Sequence, residues 1–159
     1  MIRPAGREDV PFLKDMLRHA YYWRSNTPDA AVEPTVQRYV TGWGRAGDSA
    51  VVALEGRGRV GAAWYRLFTA EEPGYGFVDE HTPELSIAVV PSRRGRGYGD
   101  ELLAALLDRA RGEGFEQISL SVDAENPALK LYERNGFRQV GEEGGSLTML
   151  ARLGSNETT

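Results

Sequence analysis

The chain has 159 residues, an ordinary apolar content and a formal net charge of −4, which predicts one domain with its own hydrophobic core over residues 1–153. It contains no cysteine and two histidines, His19 and His81, so disulfides, thiolate ligands and a cysteine nucleophile are excluded and a metal site is not expected. No apolar stretch approaches the roughly 18 residues that span a bilayer, and the start MIRPAGREDV has no apolar signal core. We therefore expect a cytoplasmic protein with no membrane partner.

The first half of the chain predicts helices followed by a hairpin of strands. Apolar residues recur at helical spacing at Val10, Leu13, Met16, Leu17 and Ala20. This spacing predicts a first helix over about Glu8 to Tyr22. A second helix is predicted from Pro34 to Val40, before the glycines of TGWGRAGD. The segment SAVVALEGRGRVGAAWYRLF predicts two antiparallel strands joined at Gly56–Gly58.

The second half alternates strands and helices. PELSIAVV predicts a strand that Pro91 ends, and an apolar stripe predicts a helix over Tyr98–Gly112. A strand QISLSV, a short helix PALKLYERN and two strands around Phe137–Gly141 and Leu147–Leu153 follow. The order predicts an α+β fold with one βαβ crossover. The tail GSNETT, residues 154–159, is predicted to be disordered.

The stretch SRRGRGYGDELL, from Ser92 to Leu103, sets three glycines where a strand passes into a helix. The first N–H groups of a helix lack intrahelical partners, and the helix dipole favours negative charge there. Glycines let the backbone approach a phosphate closely, and Arg93, Arg94 and Arg96 can add charge-assisted hydrogen bonds. The loop therefore predicts a pyrophosphate site, although a tight turn with solvated arginines remains an alternative from this loop alone.

Two common phosphate-binding folds are excluded. A dinucleotide-binding Rossmann unit needs G-x-G-x-x-G at the start of a parallel βαβαβ series, whereas here the spacing after Gly95, Gly97 and Gly99 fails at Asp100. A P-loop needs a lysine followed by serine or threonine after the glycines, and this chain has none there. A phosphate-bearing ligand of another kind is indicated.

Two linked motifs resemble the GNAT superfamily of acetyl-CoA-dependent acetyltransferases. AVVPSRRGRGYG resembles the family pattern V-x-P-x-x-R-G-x-G-x-G, and VDAENPALKLYERNGF resembles its segment N-P-A-x-x-L-Y-x-x-x-G-F. The motifs cover about Glu84 to Val140, and the order of elements fits over about Ile2 to Leu153. The resemblance implies a mixed, mostly antiparallel sheet of about six to seven strands with about four helices, N-acetyltransferase activity, and acetyl-CoA as co-substrate without a metal.

The resemblance also implies which residues hold the cofactor. Backbone groups of Ile87, Ala88 and Val89 would pair with the pantetheine arm. The residues that would surround the pyrophosphate are Arg94, Gly95, Arg96, Gly97, Tyr98, Gly99 and Asp100. The Asp100 side chain would face the anion, so we expect it to point to solvent. Asn126 would contact the cofactor, act as an N-cap with Pro127 at the first helical position, or do both.

Two catalytic residues follow from the resemblance. Tyr132 would protonate the leaving thiolate, because a thiol has a reference pKa of about 8.5 and a phenol one of about 10. Its alternative is a core tyrosine that packs the short helix on the sheet. Glu84 would deprotonate the acceptor ammonium, often through water, and its alternative is a solvated carboxylate at a strand end. His81 is the second candidate for the base.

Without a cysteine nucleophile, direct transfer in a ternary complex is expected, with backbone N–H groups near Ala88 and Val89 holding the oxyanion. The acceptor would be a primary amine of a small molecule or a peptide. A group of acidic residues could attract a cationic amine or could simply form a solvated acidic loop: Glu71, Glu72, Asp79, Glu80 and Glu84. The alternatives are a protein N-terminal or ribosomal-protein acetyltransferase, an acetyl-CoA sensor without turnover, and a nucleic-acid module, which the acidic balance disfavours. A homodimer fits the family.

Overall fold

The computed structural model describes residues 1–21 and 38–154. The strands are β1 (Ile2–Pro4), β2 (Ser49–Glu55), β3 (Gly58–Arg66), β4 (Glu84–Val89), β5 (Gln117–Asp123), β6 (Arg138–Glu143) and β7 (Ser146–Arg152). The α-helices are α1 (Val10–Tyr21), α2 (Tyr98–Gly112) and α3 (Leu129–Arg134), and 3-10 turns lie at Arg7–Asp9 and Pro91–Arg93. Within these ranges no helix is both long and apolar enough to cross a membrane.

The strands form one seven-stranded sheet in the order β1-β2-β3-β4-β5-β7-β6. Every neighbouring pair is antiparallel except β4 and β5, which are parallel and joined through α2. The predicted α+β class, the hairpin and the single βαβ crossover are confirmed. The helix predicted from Pro34 to Val40 lies mostly outside the described residues. Within its described part, Arg38 and Tyr39 are helical.

β1 is the strand that the sequence patterns did not predict. It is three residues long and ends at Pro4, so it is too short for a period-two signal. It forms because its backbone pairs with the edge of β2, from Ile2 opposite Ala53 to Pro4 opposite Val51. The tail residues 155–159, which we predicted to be disordered, lie outside the described residues.

The sheet separates two hydrophobic cores. Leu85 and Ile87 of β4 pack with the leucines of α2 and with Tyr132 of α3. On the opposite face, Ala88 packs with Leu13 and other residues of α1. The alternation of side chains along β4 produces this division, and it puts Glu84 and Ser86 on the α1 face.

The sheet opens between its two parallel strands. β4 and β5 share one paired position, Glu84 opposite Ser119, at the start of β4. Beyond it, β4 stays paired with β3 through Val89, and β5 stays paired with β7 through Asp123. The edge of β4 that faces β5 is therefore without a strand partner from Leu85 to Val89, and we call this opening the strand gap.

Candidate functional site

The glycine loop supplies unpaired backbone donors at the start of α2. Gly95 and Gly97 have φ angles of 79° and 87°, a left-handed conformation that glycine adopts without steric cost. Gly97 is the N-cap of α2, and its carbonyl accepts the first helical hydrogen bond from Glu101. Within the described chain, the N–H groups of residues 95–100 donate no hydrogen bond to protein atoms. This arrangement fits a phosphate-bearing ligand.

A cavity of about 330 Å³ lies between this loop, β4 and α3, and we call it the glycine-loop cavity. The predicted site residues that line it are Ile87, Ala88, Val89, Arg94, Gly95, Gly97, Tyr98, Gly99, Asp100, Asn126 and Tyr132. Glu84 and Arg96 are the predicted residues that do not line it. The structure therefore brings nearly all of the predicted cofactor site together around one space.

One carboxylate braces the loop from the β2–β3 hairpin. Glu55 accepts hydrogen bonds from Arg93 Nε at 3.0 Å and from the Tyr98 hydroxyl at 2.8 Å. Arg96 Nη1 lies 3.8 Å from the same carboxylate, which turns Arg96 toward the hairpin and explains why it does not line the cavity. These partners lower the pKa of Glu55, chiefly through the Tyr98 hydroxyl.

The Asp100 side chain, which we expected to point to solvent, is 43% exposed and is also paired across to α3. It lines the glycine-loop cavity as well. Arg134 contacts its two carboxylate oxygens at 3.1 and 2.8 Å, and the Asn135 amide donates a further bond of 3.0 Å. Arg134 and Asn135 lower the pKa of Asp100. The neighbouring helix thus offers cationic and amide partners that the sequence motif did not reveal.

Asn126 caps the turn that leads into α3. Its Oδ1 accepts a hydrogen bond of 2.9 Å from the Ala128 N–H, and its carbonyl accepts one from the Leu129 N–H. The predicted N-cap is wrong for the helix itself, because α3 begins at Leu129 with Ala128 as its N-cap and without a side-chain capping bond. Asn126 instead caps the preceding turn, in which Pro127 lies. Asn126 also lines the glycine-loop cavity, so its contact with the cofactor stays a prediction that its position allows.

A second cavity of about 150 Å³ occupies the strand gap, and we call it the strand-gap cavity. Its walls come from the facing segments of β4 and β5, with Ser86 and Ser121 among them. It shares four lining residues with the glycine-loop cavity: Ala20, Ile87, Asn126 and Tyr132. The two cavities therefore meet beside Tyr132.

The Tyr132 side chain is 7% exposed and packs edge-to-face against Phe137, with ring centroids 6.0 Å apart. Its hydroxyl makes no hydrogen bond to any described residue. Burial raises the pKa of Tyr132, so the phenol is protonated at neutral pH. Tyr132 is thus a core residue that also lines both cavities, and its role as proton donor stays a prediction.

Glu84 is enclosed on the α1 face of the sheet. It is 1% exposed, and it lines neither the glycine-loop cavity nor the strand-gap cavity. The Tyr39 hydroxyl donates to its Oε2, and the Gly76 N–H donates to its Oε1 at 3.0 Å. Burial raises the pKa of Glu84 to about 7, against the opposing effect of these hydrogen bonds. Glu84 is therefore not the solvated strand-end carboxylate of the alternative interpretation.

Two contacts position the partners of Glu84. Gly76 lies so close to β5 that an added Cβ would be 2.6 Å from the carbonyl carbon of Leu120, so only glycine fits there. The buried Arg66 guanidinium is paired with Asp48 at 2.9 Å and donates to the carbonyls of Val40 and Thr41, directly after Tyr39. These bonds fix the backbone next to Tyr39 and so hold its hydroxyl against the Glu84 carboxylate.

The other acidic residues do not form one site. Glu71 and Glu72 line a third cavity of about 620 Å³, which contains none of the predicted site residues. Asp79 accepts hydrogen bonds from Thr82 and from the His81 N–H, and Glu80 accepts one from the Ala70 N–H. His81, the second candidate base, lines neither of the first two cavities. Among the described residues no acidic and histidine side chains form a group that could hold a metal ion.

Sequence reasoning missed two titratable residues that line the glycine-loop cavity, His19 and Arg134, whereas Arg93 was expected there as part of the arginine cluster. Arg134 follows Tyr132 by two residues, so its place in the second motif was an available signal. His19 comes from α1, more than sixty residues before the loop, and no local pattern connects them.

The geometry agrees with comparisons to known proteins. Residues 11–137 match the model of the family described as "Acetyltransferase (GNAT) family". An L-methionine sulfoximine/L-methionine sulfone acetyltransferase of Pseudomonas paraeruginosa (strain DSM 24068 / PA7) is 30% identical over 147 residues, which cover 89% of this chain and 81% of that protein.

A mycothiol acetyltransferase of Corynebacterium glutamicum (strain R) is 36% identical over 88 residues, or 48% of this chain. The matched segment spans 30% of the length of that relative. A crystal structure of a GNAT superfamily phosphinothricin acetyltransferase from Sinorhizobium meliloti in complex with AcCoA has 25% identity and a TM-score of 0.68. The superposition covers 100% of this chain and 91% of that one, which confirms the predicted fold.

Proposed function

Because this chain belongs to the acetyltransferase (GNAT) family, we propose that it transfers an acetyl group from acetyl-CoA directly to the primary amine of a small molecule. The observation that carries the proposal is the glycine-loop cavity, which joins unpaired N–H groups at the start of α2 to the open edge of β4 and to Tyr132. The phosphinothricin acetyltransferase of the same fold, in complex with AcCoA, supports the choice of ligand.

The residues present fit such a ligand along the length of the cavity. The N–H groups of residues 95–100 and the Arg94 guanidinium would hold the diphosphate. The edge of β4 at Ile87–Val89, which has no strand partner, would pair with the amides of the pantetheine arm as an added strand does. The ligand would there replace the 3.4 Å bond that Arg94 Nε donates to the Val89 carbonyl. Backbone N–H groups near Ala88 and Val89 would then lie beside the thioester carbonyl and stabilise its developing negative charge.

Acetyl-CoA supplies a thioester, whose carbonyl carbon accepts the amine nitrogen while the thiolate departs. Tyr132 lies where the two cavities meet and has no competing hydrogen-bond partner among the described residues. The pKa of a phenol already exceeds that of a thiol, and burial raises the pKa of Tyr132 further. Tyr132 would therefore donate a hydrogen bond to the sulfur first and complete proton transfer late, as the thiolate departs.

Glu84 is proposed as the base for the acceptor ammonium. A pKa of about 7 suits a group that must accept a proton at neutral pH. Since its carboxylate lines neither cavity, the proton would reach it through intervening water rather than by direct contact. Ser86, two residues along the same face of β4, lines the strand-gap cavity and marks the side from which the acceptor would approach.

For the acceptor, we propose a small amino-acid-like amine that enters the strand-gap cavity. Two features support this class: the cavity is small, at about 150 Å³, and the relative matched over most of both chains is named for L-methionine sulfoximine and L-methionine sulfone. A compartment in the cytoplasm, where acetyl-CoA would be supplied, fits the proposal.

The test is release of free CoA thiol from acetyl-CoA, first with L-methionine sulfoximine and then with amino acids, polyamines, aminoglycosides and basic peptides. The chain has no cysteine, so it adds no thiol background of its own. Release that depends on one amine class is the expected result. Acetyl-CoA binding without release for any amine would contradict the proposal and favour a sensor. An acetylated protein that passes the group onward would contradict direct transfer.

A further inference from the structure

The first helix contributes a histidine to the glycine-loop cavity. His19 and Ala20, near the end of α1, line this cavity together with Arg93, Arg94 and Gly95 of the loop. His19 is partly buried, and no hydrogen bond or ion pair to the described chain occupies its imidazole. The only other histidine of the chain, His81, is exposed and lies elsewhere.

The charges around His19 are mainly positive. Burial lowers the pKa of its imidazole, Asp15 on the same helix raises it, and Arg94 and Arg18 lower it further, so the ring is neutral at neutral pH. The other titratable groups that line the cavity are Arg93, Tyr98, Asp100, Tyr132 and Arg134. Asp100 is already paired with Arg134, so it offers His19 little compensating negative charge.

A diphosphate that enters this cavity reverses the local balance of charge. The diphosphate carries two negative charges. Its charge offsets the positive charge of Arg94, which in the free protein disfavours the protonated form of His19. We propose that His19 is a further binding residue for the diphosphate of coenzyme A, and that its imidazole takes up one proton from solvent as this anion binds. The inference rests on the proposed function, because it requires coenzyme A in the glycine-loop cavity.

The proton uptake fixes the direction of the pH dependence. The pKa of His19 is below its ordinary value in the free protein and higher in the complex, so the complex binds more protons in the interval between the two values. Affinity for the diphosphate is therefore greatest below the free-protein pKa of His19 and falls as the pH rises through the value in the complex. Above both values the contribution of His19 disappears.

Isothermal titration calorimetry with dephospho-CoA at pH 6.5 tests this directly. Dephospho-CoA keeps the diphosphate but lacks the 3′-phosphate monoester, which itself titrates near pH 6 and would obscure the signal. Titration in two buffers of different ionisation enthalpy gives the number of protons taken up. We compare the wild-type protein with His19→Gln, which keeps a hydrogen-bonding side chain without titrating, and with His81→Gln as the matched control.

The expected result is a measurable fraction of one proton taken up by the wild type and by His81→Gln, and none by His19→Gln. The affinity of His19→Gln should be several-fold weaker than that of the wild type at pH 6 and equal to it at pH 8. Uptake that persists in His19→Gln, or its absence in the wild type while dephospho-CoA binds, overturns the inference and leaves the proposed function intact. If the protein binds neither dephospho-CoA nor acetyl-CoA, both the inference about His19 and the proposed function are overturned.

A second measurement guards against misfolding of His19→Gln. The chain has two histidines, so the imidazole C–H signals of the wild type can be assigned by their loss in each variant and followed by NMR across pH. A rise in the pKa of the His19 signal on addition of dephospho-CoA, with that of His81 unmoved, is expected. Equal titration of His19 in the free and bound protein overturns the inference without reliance on the variant.

Discussion

At the start of α2 the N–H groups of residues 95–100 have no partner in the described chain, whereas around Glu84 both carboxylate oxygens already accept hydrogen bonds. The first region leaves its polar groups for a ligand. In the second region the polar groups bond to Tyr39 and to the loop at Gly76 and hold both against the sheet. The two regions are thus suited to different roles, the first to ligand binding and the second to the proposed proton transfer, and substitutions in them should separate these effects.

The largest effect is expected at Tyr132, where both cavities meet. Tyr132→Phe removes the hydroxyl and keeps the ring that packs on Phe137, so kcat for acetyl transfer should fall about a hundredfold or more. The affinity for acetyl-CoA should not change. Steady-state kinetics and calorimetry measure the two quantities. Tyr65→Phe is the control, because its hydroxyl binds Glu113 and lines neither cavity. Equal losses in both variants would contradict the role of Tyr132.

Glu84→Gln is expected to rank second. As a base with a pKa of about 7, Glu84 is active when deprotonated, so the wild-type rate should rise through pH 7. The Gln variant should lose about a hundredfold in kcat at pH 8 and should lack this limb of the pH–rate profile. Wild-type activity in Glu84→Gln would show that the carboxylate only holds Tyr39 and Gly76.

Glu84→Gln should lower activity at pH 8 but raise stability relative to the wild type at the same pH. The folded pKa of Glu84 lies above the reference value of 4.5, so its contribution to stability is present below pH 4.5 and is lost as the pH rises through about 7. Glu84→Gln removes this loss. Its Tm relative to the wild type should therefore increase between pH 5 and pH 8 in thermal scans, and a constant difference across this interval would refute the assignment.

The glycine-loop cavity and the surroundings of Glu84 differ in how far the sequence predicts them. The glycine-loop cavity was predictable because backbone groups form much of it, and the motif from Val89 to Gly99 encodes their conformation in adjacent residues. The environment of Glu84 was not, because Tyr39 lies 45 positions away and Gly76 belongs to a loop with no regular pattern. The acidic residues near positions 71–80 looked alike in sequence, and only their separate partners in the fold distinguish them.

A moderate effect is expected for Gly97→Ala. With φ at 87°, alanine costs about 1–2 kcal/mol in this conformation, and since no atom lies within 4 Å of the added Cβ the strain is in the backbone alone. The loop should relax and displace its N–H donors, weakening acetyl-CoA binding by about 5- to 30-fold. Gly145→Ala, also at φ 87°, is the matched control and should lower Tm without changing this affinity.

The smallest effect is expected for Asp100→Asn. This change removes a negative charge that lines the glycine-loop cavity and releases Arg134 toward a bound anion. Since both side chains are about half exposed, acetyl-CoA should bind only about two- to threefold more tightly, and less so in high salt. Calorimetry at two salt concentrations measures this, and weaker binding would mean that the pair mainly fixes α3 against α2.

The strand gap also has a mechanical consequence. Because β4 and β5 share one paired position, the sheet consists of two sections, β1–β4 and β5–β7, that few interstrand hydrogen bonds connect. A ligand that pairs with β4 inside the strand gap would connect the two sections of the sheet. Amides on both sides should then exchange with solvent in a single cooperative step rather than section by section, so that substrate loading tightens the whole domain.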